Sequence, residues 1–115
     1  MKSDHYLNKK YKIYNRVYFR NRLPRNICVF YGEGYCLEKV HVHGITRCTM
    51  KGCCGSWIRI IPELKEMKCV AFMSLLHAMC HLKALYAGEV YLNHGWKWQR
   101  EMKRLANIGA FNNIW

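Results

Sequence analysis

Acidic residues are scarce in this chain of 115 residues: seven Asp and Glu stand against nineteen Lys and Arg. Uninterrupted apolar runs are missing too. None reaches about 18 residues without a charge, so no membrane span is expected. The opening Met1-Lys2-Ser3-Asp4-His5 is polar and basic. It lacks the apolar core of a secretory signal, so the expected location is the cytoplasm. There is no pair of Cys-x-x-Cys knuckles, which argues against a zinc ribbon. No internal repeat, linker or low-complexity stretch appears, and the length suits a single domain over residues 1–115.

What is present is a large apolar share, 51%, and a formal charge of +12. The first is too high for a disordered tail. The second should draw a polyanion, with nucleic acid the usual partner. No basic amphipathic helix stands apart from the core pattern, so a membrane surface is the weaker candidate. The seven cysteines (28, 36, 48, 53, 54, 69 and 80) are odd in number and read as reduced thiols. Cys69 and Cys80, in an apolar stretch, read as small core residues.

Apolar residues at helical spacing (Leu7, Tyr11, Tyr14, Val17, Tyr18) predict an amphipathic helix over 4–20, stopped by Asn21 to Pro24. Lys9, Lys10, Lys12, Arg16 and Arg20 give it a basic outer face suited to phosphate contacts. Short β-branched and aromatic runs between glycines predict strands near 27–31, 36–43, 45–49 and 57–61. His41 and His43 alternate with valines and share one strand face, where a solvent-facing pair is the simpler reading than a metal site. Residues 66–86 are apolar nearly all round and predict a buried helix. A turn over 87–93 follows, then a helix over 95–108 with Trp98, Met102 and Leu105 inward.

On the buried helix, Ser74, His77 and His81 fall on one stripe. Two imidazoles four residues apart can bind one metal ion, and burying them otherwise costs desolvation. His94 lies just past the turn, beside Gly95, where the returning chain can bring it to the same ion. Three histidines plus water is the coordination of a catalytic zinc site, so one Zn2+ is the expected cofactor, held by His77, His81 and His94. Zinc peptidases of the His-Glu-x-x-His type carry a glutamate after the first histidine, which moves the proton from water to the leaving amine. Here the run is His77-Ala78-Met79-Cys80-His81, so the general base is missing at Ala78.

The chain resembles the SprT-like (Spartan-type) zinc metallopeptidase domain over nearly its whole length. Tyr14-Asn15-x-x-Tyr18-Phe19-x-x-x-Leu23-Pro24 resembles that family's opening helix and its exit. Trp57-Ile58-Arg59-Ile60-Ile61 stands where the strand before the metal-binding helix would be. Leu75-Leu76-His77-Ala78-Met79-Cys80-His81 resembles the family's Leu-Leu-His-Glu-Met-x-His motif, glutamate excepted. His94-Gly95-x-x-Trp98-x-x-x-Met102 resembles the segment that supplies the third ligand.

The resemblance implies an α+β fold, a minimal zincin-like domain. It would have an N-terminal helix, a small, mostly antiparallel sheet, a buried metal-binding helix and a C-terminal helix. It implies a zinc-dependent endopeptidase whose substrates are proteins bound or crosslinked to DNA, with DNA, single-stranded or junction-containing, as activator. Two accounts of Ala78 are open: replacement of the base in an otherwise complete motif, which the intact surroundings favour, or a natural zinc protein that does not cut. Either leaves this chain nearly inert, since losing a general acid–base removes a factor of about 100 to 10,000 in rate.

Other zinc peptidases fit less well. The metzincin pattern needs glycine and histidine where Ala84 and Ala87 stand. A thermolysin-like site would use Glu101 as third ligand, but that residue reads as a solvated charge beside Arg100. Tyr31, Trp57, Trp96 and Trp98 are aromatic residues able to stack on unpaired bases. Core packing is the simpler reading for Trp98, while Trp96, next to Lys97, is the better surface contact. A different class of function is a nucleic-acid-binding module with zinc and no chemistry. A second ion at Cys48, Cys53 and Cys54 is disfavoured.

Overall fold

The computed structural model describes residues 4–41, 56–88 and 94–112. These residues form an α+β domain, with three helices and a three-stranded sheet among them: α1 (His5–Tyr18), β1 (Cys28–Tyr31), β2 (Glu38–His41), β3 (Trp57–Ile60), a 3-10 turn (Pro62–Glu66), α2 (Lys68–Tyr86) and α3 (Trp96–Asn107). The expected strand at 45–49, the turn beyond Gly88, and His43, Cys48, Cys53 and Cys54 lie outside the described residues.

Helix α1 starts because the Asp4 side chain accepts the Leu7 amide at 2.8 Å, an N-cap. It stops in a left-handed turn. Arg20 and Asn21 take φ of 53° and 58°, and the Asn21 amide donates back to Asn15 O at 2.9 Å. Asn15 is buried. Its amide donates to Leu23 O at 3.0 Å and its Oδ1 accepts Leu23 N at 3.1 Å, locking the exit of the helix. Asn8 ties the other end to the sheet: it donates to Val29 O at 2.7 Å and accepts Val29 N at 3.1 Å. Val17, expected on the buried stripe, is 55% exposed. Two residues past Asn15, it is turned by about 200° from the inward face.

The sheet order is β1-β3-β2. β1 runs parallel to β3 with Cys28 opposite Trp57, and β2 runs antiparallel to β3 with Glu38 opposite Ile60. It is therefore a mixed sheet, with one pair of each kind where a mostly antiparallel one was expected. A parallel pair needs a long crossover, and the chain between β1 and β3 supplies it while leaving β2 as a sheet edge.

Helix α2 lies under the sheet. Leu75, Leu76, Met79 and Leu82 are fully buried with Val29, Ile58, Ile60 and Leu105. Each such side chain contributes about 1.5–3 kcal/mol by leaving water. By length and composition α2 could also cross a membrane, but 61% of that stretch is buried inside the domain, as in the core helix of a globular protein. Its first residues, expected at 66–67, belong instead to the 3-10 turn and its exit, because Pro62 opens a separate short turn.

Candidate metal centre

Helix α2 carries His77 and His81 one turn apart, and the chain entering α3 brings His94 to them. The three rings offer nitrogen atoms that all lie within 4.8 Å of one another. The Nε2 atoms of His77 and His94 are 3.0 Å apart. Four-coordinate zinc, with Zn–N near 2.0–2.1 Å, separates its nitrogen ligands by about 3.3 Å. The three residues named from spacing are thus close enough to hold a metal ion, and a small opening of the cluster matches zinc.

The cluster is supported from two sides. From the sheet edge, Glu38 places its carboxylate on His77 Nδ1, which leaves Nε2 turned to the shared centre. From α3, Trp98 packs its ring 4.1 Å from His94, 4.9 Å from His77 and 5.4 Å from His81, centroid to centroid. Its Nε1 donates to His77 O at 3.3 Å. Gln99 Nε2 donates to His94 O at 2.7 Å, fixing the backbone of the third histidine. His81 is buried. Burial, and then the His77 and His94 rings, push it down to about 4 against an opposing pull from Glu38. It is neutral at pH 7, the state a metal ligand requires.

A cavity of about 440 Å3 opens over the three histidines, walled by Glu38, Tyr35, Val40 and Arg59. Arg59 donates to Glu33 O at 3.0 Å and Cys36 O at 3.2 Å, holding the β1–β2 connection above the cavity. A Cβ at Gly34 would fall 1.8 Å from the Arg59 guanidinium, so a side chain there would push that group aside. Ala78 is fully buried among core residues.

The other predicted residues scatter. Lys9, Lys12 and Arg16 sit at i+3 and i+4 on an exposed stripe of α1. Lys10 leaves that stripe, with its Nζ 4.9 Å over the Phe72 ring. Arg20 lies past the helix end, in the left-handed turn. Trp96 is 65% exposed, flanked by Lys97 and Arg100 at 5.6 and 5.0 Å from its ring. Lys97 also donates to Ala87 O. Trp98 is a packing residue of the histidine cluster.

Glu101 corrects an expectation. Rather than a solvated charge, it is buried and accepts Arg104 Nη2 at 3.0 Å. In the second turn of α3, it faces the core side shared with Leu105, and the guanidinium compensates its burial. Cys80 is a buried, inert thiol, as expected; its pKa is raised by burial first and then by Glu101, with Arg104 opposing. Cys69 is only half-buried.

Glu38 is the member of the site that sequence pattern missed. It lies in a short strand far from the histidines in sequence, and no local spacing marks it. Comparisons with known protein families, curated proteins and solved structures return no match.

Proposed function

We propose that the chain is a zinc-dependent peptidase domain of SprT-like type, acting on DNA-associated proteins, in a form that lacks its general base. The observation that carries the reading is the convergence of His77, His81 and His94 under an open cavity, with a carboxylate behind the first of them. A zinc ion there would supply Lewis-acid polarisation of a peptide carbonyl and a more acidic water. The chain's own contributions are distinct. His77, His81 and His94 hold the ion. Glu38, against the Nδ1 edge of His77, would orient that ring toward a bound ion. The cavity lies beside β2, lined there by Glu38, Lys39 and Val40, and Ala78 exchanges no proton. The charge of +12 supports a DNA-bound setting. The free thiols at Cys28, Cys36, Cys69 and Cys80 support a reducing, cytoplasmic one.

The test pairs the zinc-loaded chain with its Ala78→Glu variant on a DNA-binding protein, with and without single-stranded DNA. Cleavage by the variant alone supports the reading, and DNA dependence identifies the activator. A second reading is a zinc-containing nucleic-acid-binding module without chemistry. The complete burial of Ala78 favours it, because a carboxylate at that position meets an apolar core. If both proteins hold one zinc and neither cuts, that module is the function.

A further inference from the structure

On another part of the domain, the end of α1 meets the last turn of α2 and the C-terminal half of α3 around a cavity of about 260 Å3. Beside Tyr18 and Phe19, its lining has four basic side chains, Arg20, Arg22, Lys83 and Arg104, and one carboxylate, Glu101. That carboxylate is already engaged: both Nε and Nη2 of Arg104 donate to Glu101 Oε1, at 3.3 and 3.0 Å. Arg104 also lies over the Phe19 ring, 5.3 Å from its centroid. It is therefore a fixed guanidinium. Arg20, Arg22 and Lys83 have no carboxylate partner among the described residues.

Three separate elements thus bring like charges to one concave place, which repels itself unless an anion enters. The backbone supplies an independent sign. Arg20 sits at φ 53°, a conformation where glycine is preferred and a long side chain is rarely kept. The turn is nevertheless held in place by Asn15, through the amide of Asn21 and both groups of Leu23. A strained position locked by a buried amide, and occupied by arginine, fits a side chain kept for binding.

We propose that this cavity is a phosphate-binding site, with Arg20, Arg22, Lys83 and Arg104 as its donors. Guanidinium groups pair with phosphate oxygens two at a time, and a lysine adds a point charge. The phosphate is that of a nucleic-acid backbone or of a free phosphate ion. The site is separate from the histidine cluster and does not rest on the peptidase reading. It moves the expected phosphate contact from the outer stripe of α1 to the cavity past its end.

The experiment measures binding, not cleavage. A fluorescent single-stranded oligonucleotide is titrated with the full chain over a range of salt, and calorimetry with inorganic pyrophosphate gives the second arm. The variants are Arg22→Ala, Lys83→Ala and Arg20→Gly, with the pair Lys9→Ala and Lys12→Ala as comparison. Each cavity variant should weaken oligonucleotide binding and reduce the salt slope by about 0.7 per cation removed. The Lys9/Lys12 pair should leave binding nearly unchanged.

Arg20→Gly separates binding from folding: glycine relaxes the left-handed turn, so thermal stability holds or rises while binding falls. Pyrophosphate bound by the parent chain and lost in the cavity variants, with oligonucleotide affinity unaffected, would assign the site to a free phosphate. Cavity variants that match the parent chain in both arms overturn the proposal. So does a loss that follows Lys9 and Lys12 instead.

Discussion

Glu38, on the outer strand β2 of the described sheet, places its carboxylate against Nδ1 of His77, at the centre of the buried helix. The carboxylate lies against the Nδ1 edge of the ring, while Nε2 faces His94 across the cluster. Carboxylates behind metal-binding imidazoles typically raise affinity 10–100-fold. Glu38→Gln should therefore weaken zinc binding by about that factor, measured by competition with a chromogenic chelator, while one zinc still binds at saturation. Unchanged affinity would reduce the contact to a structural one.

The identity of the third ligand is decided by two variants. His94→Ala should abolish stoichiometric zinc binding, because only two imidazoles remain. Glu101→Gln should keep the zinc and lose stability instead. Its carboxylate is buried and holds Arg104, and a charged hydrogen bond of this kind contributes about 1.5–3 kcal/mol. Chemical denaturation and metal analysis on both proteins give the answer. Zinc lost from the Glu101 variant alone would reverse the assignment.

The helices and the histidines were legible in the sequence because their signals are local. The period of Leu7, Tyr11 and Tyr14 and the greasy run of α2 fix helices to within about two residues, and a four-residue gap puts His77 and His81 on one stripe. What the sequence hid depends on contacts between distant segments. The parallel pairing of β1 with β3 joins segments about 25 residues apart, and neither strand's own residues announce it. Glu38 looks like any charged residue of an edge strand. Glu101 looks solvated because its neighbour Arg100 faces water, whereas its partner is Arg104, one turn further.

The Asn15 lock gives a stability prediction. Its amide satisfies both the carbonyl and the N–H of Leu23, a residue only 3% exposed. Asn15→Ala removes both bonds and leaves buried backbone groups unpaired, at about 1–3 kcal/mol for each group. Thermal unfolding should shift downward accordingly, and Asn15→Asp should recover only part, since it lacks the donor to Leu23 O. A variant as stable as the parent would mean that water replaces the amide there.

Protonation of His81 should destabilise the metal-free chain in a defined window. The folded state holds this imidazole at about 4, against an ordinary value of 6.5. The unfolded chain therefore binds the extra proton first. The contribution to stability is complete above about 6.5 and is lost as pH falls from there toward 4. Melting temperatures with chelator present should fall across that range, and His81→Gln should flatten the decline. An equal slope in both proteins would assign the acid sensitivity to other groups.

Ala78 gives the sharpest contrast between the two functional readings. Its methyl group is fully buried among the core residues of α2 and the sheet. A glutamate in its place either remains in that apolar packing or turns toward the histidine cavity. In the first case Ala78→Glu is destabilised with and without zinc, because an unpaired buried carboxylate has no compensation. In the second, the metal-free variant is destabilised, and zinc restores it by a larger increment in melting temperature than it gives the parent chain. The peptidase reading requires the second pattern, since only a carboxylate that reaches the cavity can exchange a proton there. Differential scanning fluorimetry of both proteins, with zinc and with chelator, distinguishes the two before any substrate is known.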